Sequence, residues 1–255
     1  FLDAHRFGAA FRQWYLLPMI GCIWSCPTDQ MLRFPVGTLI RFCHNHGLLQ
    51  VSQRPRWFTV AGGARQYVQR ILEGVPDRRL ATPVEAVRRD DSGVSLRVAG
   101  AWERFDYAVI ATHSDQALTL LTDATREERT LLGAIRYQPN RAVLHTDRSV
   151  LPRRESAWAA WNYERGPGAA ADAQVCLHYL LNRLQPLPWP QPVIVSLNPE
   201  RPIDPQRILG DYSYAHPVFD EGAVRAQALL GNIQGRQRTW FAGAWAGYGF
   251  HEDGL

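Results

Sequence analysis

The chain has 255 residues, 46% hydrophobic and 20% charged, with a formal net charge of +4 at neutral pH. That composition belongs to the soluble globular class and suffices for one large domain or two small ones. It excludes a transmembrane helix, for which no apolar run is long enough. It also argues against nucleic-acid binding, because the basic residues are scattered rather than striped; with no signal peptide visible, the expected location is cytoplasmic.

Residue 1 is Phe, and the residues after it read as helix interior, so the chain reads as a piece of a longer protein. Residues 3 to 20 carry Phe7, Ala10, Phe11, Trp14 and Tyr15 at helical spacing, closed by Pro18. FPVGTLIRFCHNHGLL predicts a helix from about Val36 to His46, stopped by Gly47. Gly62 and Gly63 then lead into a helix through Tyr67, Ile71 and Leu72 that ends at Gly74.

The period next changes to alternation. Strands are predicted near residues 79 to 89, 94 to 99 and 106 to 111, with turns at Asp91-Ser92-Gly93 and at Gly100. The last of them, YAVIA, is continuously apolar, as a strand buried on both faces should be. Ser114 and Asp115 open a helix through Leu118 and Leu121, and ATREERTLLGAIRY gives another. RAVLHTD, AWAAWNY, AQVCLHYL and PVIVSL read as further strands, FDEGAVRAQALLGNI as a late helix. The chain closes on TWFAGAWAGYGFHEDGL, a short strand running into a turn of small residues and an acidic pair.

Two motifs are set aside. Gly166, Gly168 and Ala171 formally match a dinucleotide fingerprint, but Pro167 lies inside it and no βαβ unit follows. Cys22, Cys26, Cys43, His44 and His46 invite a zinc reading. Cys22 sits in an apolar stretch and the two histidines are too close for the usual spacing, so no metal is expected. A disulfide framework is not expected either in a chain of this size with no sign of secretion. All 28 basic residues are arginine, so the segment cannot form a lysine Schiff base or use a lysine as general base.

Three segments in order, TPVEAVRRDDSGVSL, FDYAVIATHSDQALTLL and TWFAGAWAGYGFHEDGL, resemble the flavin-containing amine oxidase superfamily of FAD-dependent oxidoreductases. GCIWSCP, FPVGTLIRFCHNHGLL, PRWFTVAGGARQYV, AIRYQPNRAVLHTD, WAAWNY, NRLQPL and YAHPVFD extend the resemblance over the whole chain, toward a branch of predicted NAD/FAD-binding proteins. The resemblance implies an α/β (α+β) fold. Its FAD/NAD(P)-binding Rossmann-like domain would be incomplete, lacking an upstream GxGxxG unit and a C-terminal helix, with an inserted substrate domain of mixed sheet and helices. The implied division gives residues 1–60 to the helical part of the substrate domain and 61–122 to the middle of the FAD domain. Residues 123–236 form the rest of the substrate domain, and 237–255 form the closing FAD segment.

By the same resemblance the cofactor is FAD. Val84 would offer backbone to the adenine, Ala111 and Thr112 would line the cofactor at a strand end, and Gly243 and Ala244 would meet the ribityl and pyrophosphate end. The backbone at Gly249, Phe250, His251 and Glu252 would face the flavin. The small residues Ala242, Gly243, Ala244, Gly247 and Gly249 suit close backbone approach to such a ring. Candidates around the substrate are Trp57, Trp161 and Tyr214, within a wider aromatic set that includes Tyr163, Tyr212, Trp245 and Tyr248. Proton-transfer candidates are His145, His216 and above all His251. The expected activity is hydride transfer from a small-molecule or lipid-like substrate to flavin. Desaturation or isomerisation of a long apolar chain stays open beside it.

Overall fold

A computed structural model describes residues 1–165 and 175–254. Gly166, Gly168 and Ala171 lie outside the described residues. The chain divides into two compact units, Phe1–Pro76 with Gln138–His216, and Asp77–Tyr137 with Pro217–Leu255. The chain crosses between them after residues 76, 137 and 216. The helix Arg65–Glu73 accordingly belongs to the first unit.

The first unit opens with Ala9–Phe11 in α form, a π turn over Arg12–Leu16 and an α-helix over Leu17–Trp24. Pro18 does not end the helix as expected. It lies at the start of Leu17–Trp24, and the wider π turn before it absorbs the missing N–H and the bulk of the ring. The helix stops instead at Ser25, whose left-handed backbone (φ 54°) lets its N–H bond Gly21 O at 2.8 Å. Helix Val36–Asn45 follows as predicted, ended by Gly47 at φ 63°.

The second unit begins with a three-stranded antiparallel meander: β1 (Val84–Asp90), β2 (Gly93–Val98) and β3 (Ala101–Phe105). β4 (Ala108–Ile110) follows, then helices Ser114–Leu120 and Arg126–Gly133. The sequence reading missed β3, merging its surroundings into a turn and a longer final strand. β3 is an edge strand with almost every residue exposed, so it lacks the apolar alternation that marks a half-buried strand.

The first unit then receives a five-stranded sheet: β5 (Arg136–His145), β6 (Trp161–Glu164), β7 (Cys176–Leu180), β8 (Ile194–Leu197) and β9 (Ile208–Val218), in the order β6-β7-β8-β5-β9. β9 was not predicted. Gly210, Asp211 and Pro217 disguise it, and an edge strand is where such residues are tolerated. The expected strand AWAAWNY is realised only from Trp161, in β6, its first residue Ala157 ending the 3-10 turn Glu155–Ala157.

The chain returns to the second unit with helix Glu221–Leu229 and β10 (Thr239–Phe241), which pairs in parallel with β4, Phe241 opposite Ile110. The core of this unit gathers Val87, Val94, Ile110, Leu131, Leu132 and Ile135 with Ala223, Ile233, Phe241 and Trp245 from the return segment. Beside it, the fully buried Arg89 side chain on β1 binds Glu128 Oε2 at 2.9 Å and Asp123 Oδ1 at 3.1 Å. Glu128 also accepts from the Thr125 N–H at 2.7 Å, closing a capping box at the start of Arg126–Gly133.

Candidate functional site

β4 and β10 are adjacent, parallel and end together, so their carboxyl ends deliver two loops side by side. In open α/β sheets such strand ends are where ligands bind. The register continues one step beyond the strands, Ala242 N–H donating to Ile110 O at 3.1 Å. Thr112 and Gly243 are therefore neighbours by construction.

Three side chains fix this corner. The Trp245 indole is buried and donates its Nε1–H to Thr112 O at 2.9 Å, bracing one loop against the other. Trp245, one of the wider aromatic set, thus serves here as a strut. Gln227, from helix Glu221–Leu229, donates to Trp245 O at 2.8 Å and Gly247 O at 2.7 Å, holding the 3-10 turn Ala244–Ala246. Tyr137 accepts from Ser114 N–H at 2.8 Å and stacks on His113, ring centroids 4.3 Å apart. Burial raises the Tyr137 phenol above its ordinary range, against the pull of its hydrogen bonds to Ser114, so it is neutral near pH 7.

Two clefts meet at this corner. One, of about 420 Å³, is lined by Ala111, Thr112, His113 and Gln116 from the first loop and helix, Tyr137 and Pro217, and Gly243, Ala244 and Trp245 from the second loop. The other, of about 640 Å³ and mostly apolar, runs past Val84, Val87 and Leu96, along β4, to Ala111 and Thr112. Expected residues Val84, Ala111, Thr112, Gly243 and Ala244 thus line two adjoining hollows, with Ala111 and Thr112 shared by both. Neither hollow is lined by Ser, Cys or a buried carboxylate, so this segment offers it recognition rather than a nucleophile.

The glycines themselves have a partly different cause from the one expected. A Cβ on Gly243 would stand 2.7 Å from the Trp245 ring and 3.3 Å from Thr112 O, and one on Gly247 would meet the Asp253 carboxylate. Internal packing therefore already demands both. Gly249 is required by its backbone, at φ 98°. Beyond it, Asp253 accepts from Phe250 N–H at 2.9 Å and the chain closes in a 3-10 turn, His251–Gly254. Gly249, Phe250, His251 and Glu252 do not line either cleft.

The expected substrate residues lie in the first unit, and they are not gathered. Trp161 is on β6 and Tyr214 on β9, the two outer strands of the five-stranded sheet. Three strands intervene, a separation of about 19 Å at the usual strand spacing. Tyr214 stacks instead on Tyr212, centroids 6.0 Å apart. Tyr163 is half-buried on β6, Tyr248 is half-buried in the terminal turn, and Trp57 is 70% exposed in an irregular segment.

The three histidines also separate. His251 is exposed. His216 Nδ1 lies 2.9 Å from Asn140 Nδ2, from which it accepts. His145 is fully buried in the first unit and belongs to a chain of hydrogen bonds. Asp147 N–H donates to His145 Nδ1 at 3.1 Å, which leaves the His145 proton on Nε2, 2.7 Å from Ser196 Oγ. Ser196 Oγ is 2.7 Å from His178 Nδ1, and His178 Nε2 is 2.9 Å from Glu164. Burial pushes His145 down to about 4 and also lowers His178, where Glu164 opposes the effect. Burial alone would raise Glu164; the hydrogen bonds from His178 and Arg201 outweigh it and hold the carboxyl low.

Tyr137, Gln116, Gln227 and the bracing role of Trp245 were missed. Only Gln116 leaves a local trace, three residues after His113, whose N–H it accepts at 3.3 Å. The others act across long sequence separations.

No model of a known protein family and no curated protein sequence matches the chain. Solved structures do. Reduced UDP-galactopyranose mutase is similar with a TM-score of 0.61 at 12% identity, over 96% of this chain and 63% of that one. Cyclohexylamine oxidase from Brevibacterium oxydans IH-35A gives 0.54 at 14% identity, over 93% and 60%. A CLA-producing fatty acid isomerase from P. acnes gives 0.51 at 14% identity, over 75% and 49%. The chain spans about half to three fifths of each of these proteins. It shares their fold, the fold that the resemblance to the flavin-containing amine oxidase superfamily implies.

Proposed function

We propose that the chain forms part of an FAD-dependent oxidoreductase of the amine-oxidase type. The observation that carries this reading is the paired carboxyl ends of β4 and β10, where small residues from two loops leave adjoining hollows of about 420 and 640 Å³. The lining fits a flat, extended ligand: Ala111, Thr112, Gly243 and Ala244 present short side chains and main chain at one end, and Val84, Val87 and Leu96 present an apolar wall at the other. FAD bound there would supply the acceptor for a hydride from substrate.

The residues of this chain bind and orient. Trp245, Gln227 and Tyr137 hold the two loops in register, Val84 and its neighbours cover the apolar portion, and the turn from Gly249 to Glu252 closes the segment. With no lysine in the chain, any lysine-held water near the reacting centre must come from elsewhere. His251, an exposed residue of the terminal turn, is our candidate for proton transfer. Trp57, Trp161 and Tyr214 are candidates for substrate contact from separate places in the first unit.

A second reading, desaturation or isomerisation of a long apolar chain, is favoured by one feature. In the first unit Phe7, Phe11, Tyr15, Met19, Leu39 and Ile40 line an apolar hollow of about 160 Å³. The CLA-producing isomerase shares the fold.

The test is the flavin content of the full-length protein and of Ala244→Leu. Ala244 lines the smaller hollow, whereas a side chain at Gly243 would strike Trp245. The full-length protein is expected to be yellow, and Ala244→Leu to lose at least about tenfold in bound FAD with its thermal midpoint little changed. A colourless full-length protein that stays so after reconstitution overturns the proposal. Anaerobic bleaching by amines would favour the first activity, and bleaching only by unsaturated lipids the second.

A further inference from the structure

We propose that Glu164, Cys176 and His178 form a binding site for a zinc-class divalent cation, independent of the flavin reading. The register of two strands creates it. β6 and β7 are antiparallel with Glu164 directly opposite Cys176, and Cys176 and His178, two residues apart, share one face of β7. Carboxylate, thiol and imidazole are thereby brought to one point. Cys176 and His178 are almost wholly buried, and the Glu164 side chain keeps 23% of its surface, leaving a way in.

The distances suit an ion. His178 Nε2 is 2.9 Å from Glu164 Oε2 and 3.6 Å from Cys176 Sγ, and Sγ is 4.0 Å from Oε2. A point about 2.1 Å from the nitrogen and the oxygen and about 2.3 Å from the sulfur exists just outside the plane of the three atoms, and these are the lengths of zinc bonds to each. The donor set also selects the metal. One S, one N and one O suit a borderline-soft ion of the zinc class, whereas magnesium and calcium take oxygen shells.

The surroundings support each ligand as metal sites require. His178 ligating through Nε2 carries its proton on Nδ1, 2.7 Å from Ser196 Oγ. Ser196 Oγ has two lone pairs and accepts from His145 Nε2 as well. The second carboxylate oxygen of Glu164, Oε1, is held by Arg201 Nε at 2.7 Å. Thiolate and carboxylate together balance the double charge of the ion, the thiol proton leaving to solvent on binding. The fourth position, on the side where Glu164 is exposed, takes water.

Among the described residues these three are the one group of metal-type donors within reach of a single ion. Among the described residues Cys22, Cys26, Cys43, His44 and His46 form no such group, and the three cysteines are buried and not joined in a disulfide.

The experiment measures metal in the full chain, purified after expression with added zinc and dialysed, by elemental analysis. About one zinc per chain is expected, with Cys176→Ser and His178→Gln each lowering it at least about tenfold and Cys43→Ser retaining it. Ser196→Ala should weaken zinc binding about tenfold through loss of the His178 partner. Cobalt added to the unaltered, zinc-free chain provides a readout that does not depend on whether variants fold, and a thiolate-to-cobalt charge-transfer band is expected. Failure of the unaltered chain to hold zinc or to show that band overturns the proposal. So does zinc that survives both Cys176→Ser and His178→Gln.

Discussion

The Arg89 guanidinium is wholly buried, and its charge is tolerable only because Glu128 and Asp123 meet it with well-directed oxygens. Glu128→Ala leaves that charge partly unpaired and opens the capping box of helix Arg126–Gly133; a loss of about 3–5 kcal/mol is expected, read as a lowered denaturant midpoint. Replacing both partners with apolar residues, Arg89→Met with Glu128→Leu, should cost much less than either change alone. His145 gives a second residue-scale expectation. Its folded pKa of about 4 lies below the ordinary value, so as pH falls the unfolded chain takes up this proton first. The contribution is complete above about pH 6.5 and is lost toward and below pH 4, on the order of 3 kcal/mol. Thermal unfolding with chelator present should show a midpoint that declines across that window, and His145→Gln should flatten the decline. A slope unchanged in the variant would refute the assignment.

Elements were legible where they carry a local pattern. β4 carries a run of apolar residues, although it is not buried on both faces as expected, Tyr107 and Val109 being exposed, and Val36–Asn45 carries its period and the following glycine. β3 and β9 escaped because edge strands expose both faces and accept Gly, Asp and Pro. Pro18 misled because a π turn accommodates it, something no residue spacing announces. Thr112 and Gly243 were singled out by the resemblance, and the pairing of β4 with β10 makes them neighbours. The parts played by Trp245, Gln227 and Tyr137 could not be read in the sequence, because a side chain that bonds distant main chain leaves no local pattern. Gln234 is another such case. Its amide accepts from Phe241 N–H at 2.8 Å and donates to Phe241 O at 2.7 Å, lying along β10 as a strand would. Gln234→Ala should cost about 1–3 kcal/mol and quicken amide exchange at Phe241 first, before global unfolding exposes the other core amides.

At the scale of the whole molecule, the second unit is discontinuous, and its core cannot close on the earlier segment alone. Val87, Ile110 and Leu132 from residues 77–137 pack with Ala223, Ile233, Phe241 and Trp245 from residues 217–255. A fragment of residues 77–137 is therefore expected to be unfolded by circular dichroism, and to gain structure when the 217–255 fragment is added. Folding of the first fragment by itself would contradict this account. Two of the crossings leave no mark in the sequence, because β5 and β9 each run from one unit into the other and no turn signals the passage.

The Gln234 clasp also gives the small parallel sheet a direction. Gly235 N–H bonds Thr239 O at 2.9 Å on the same flank, so that margin of β10 is sealed by the chain's own loop. Among the described residues β4 has a neighbour on one side only. Lateral growth of this sheet is thus polarised: a recruited strand finds no vacancy beyond β10 and must dock across β4, where Val109 stands open to solvent.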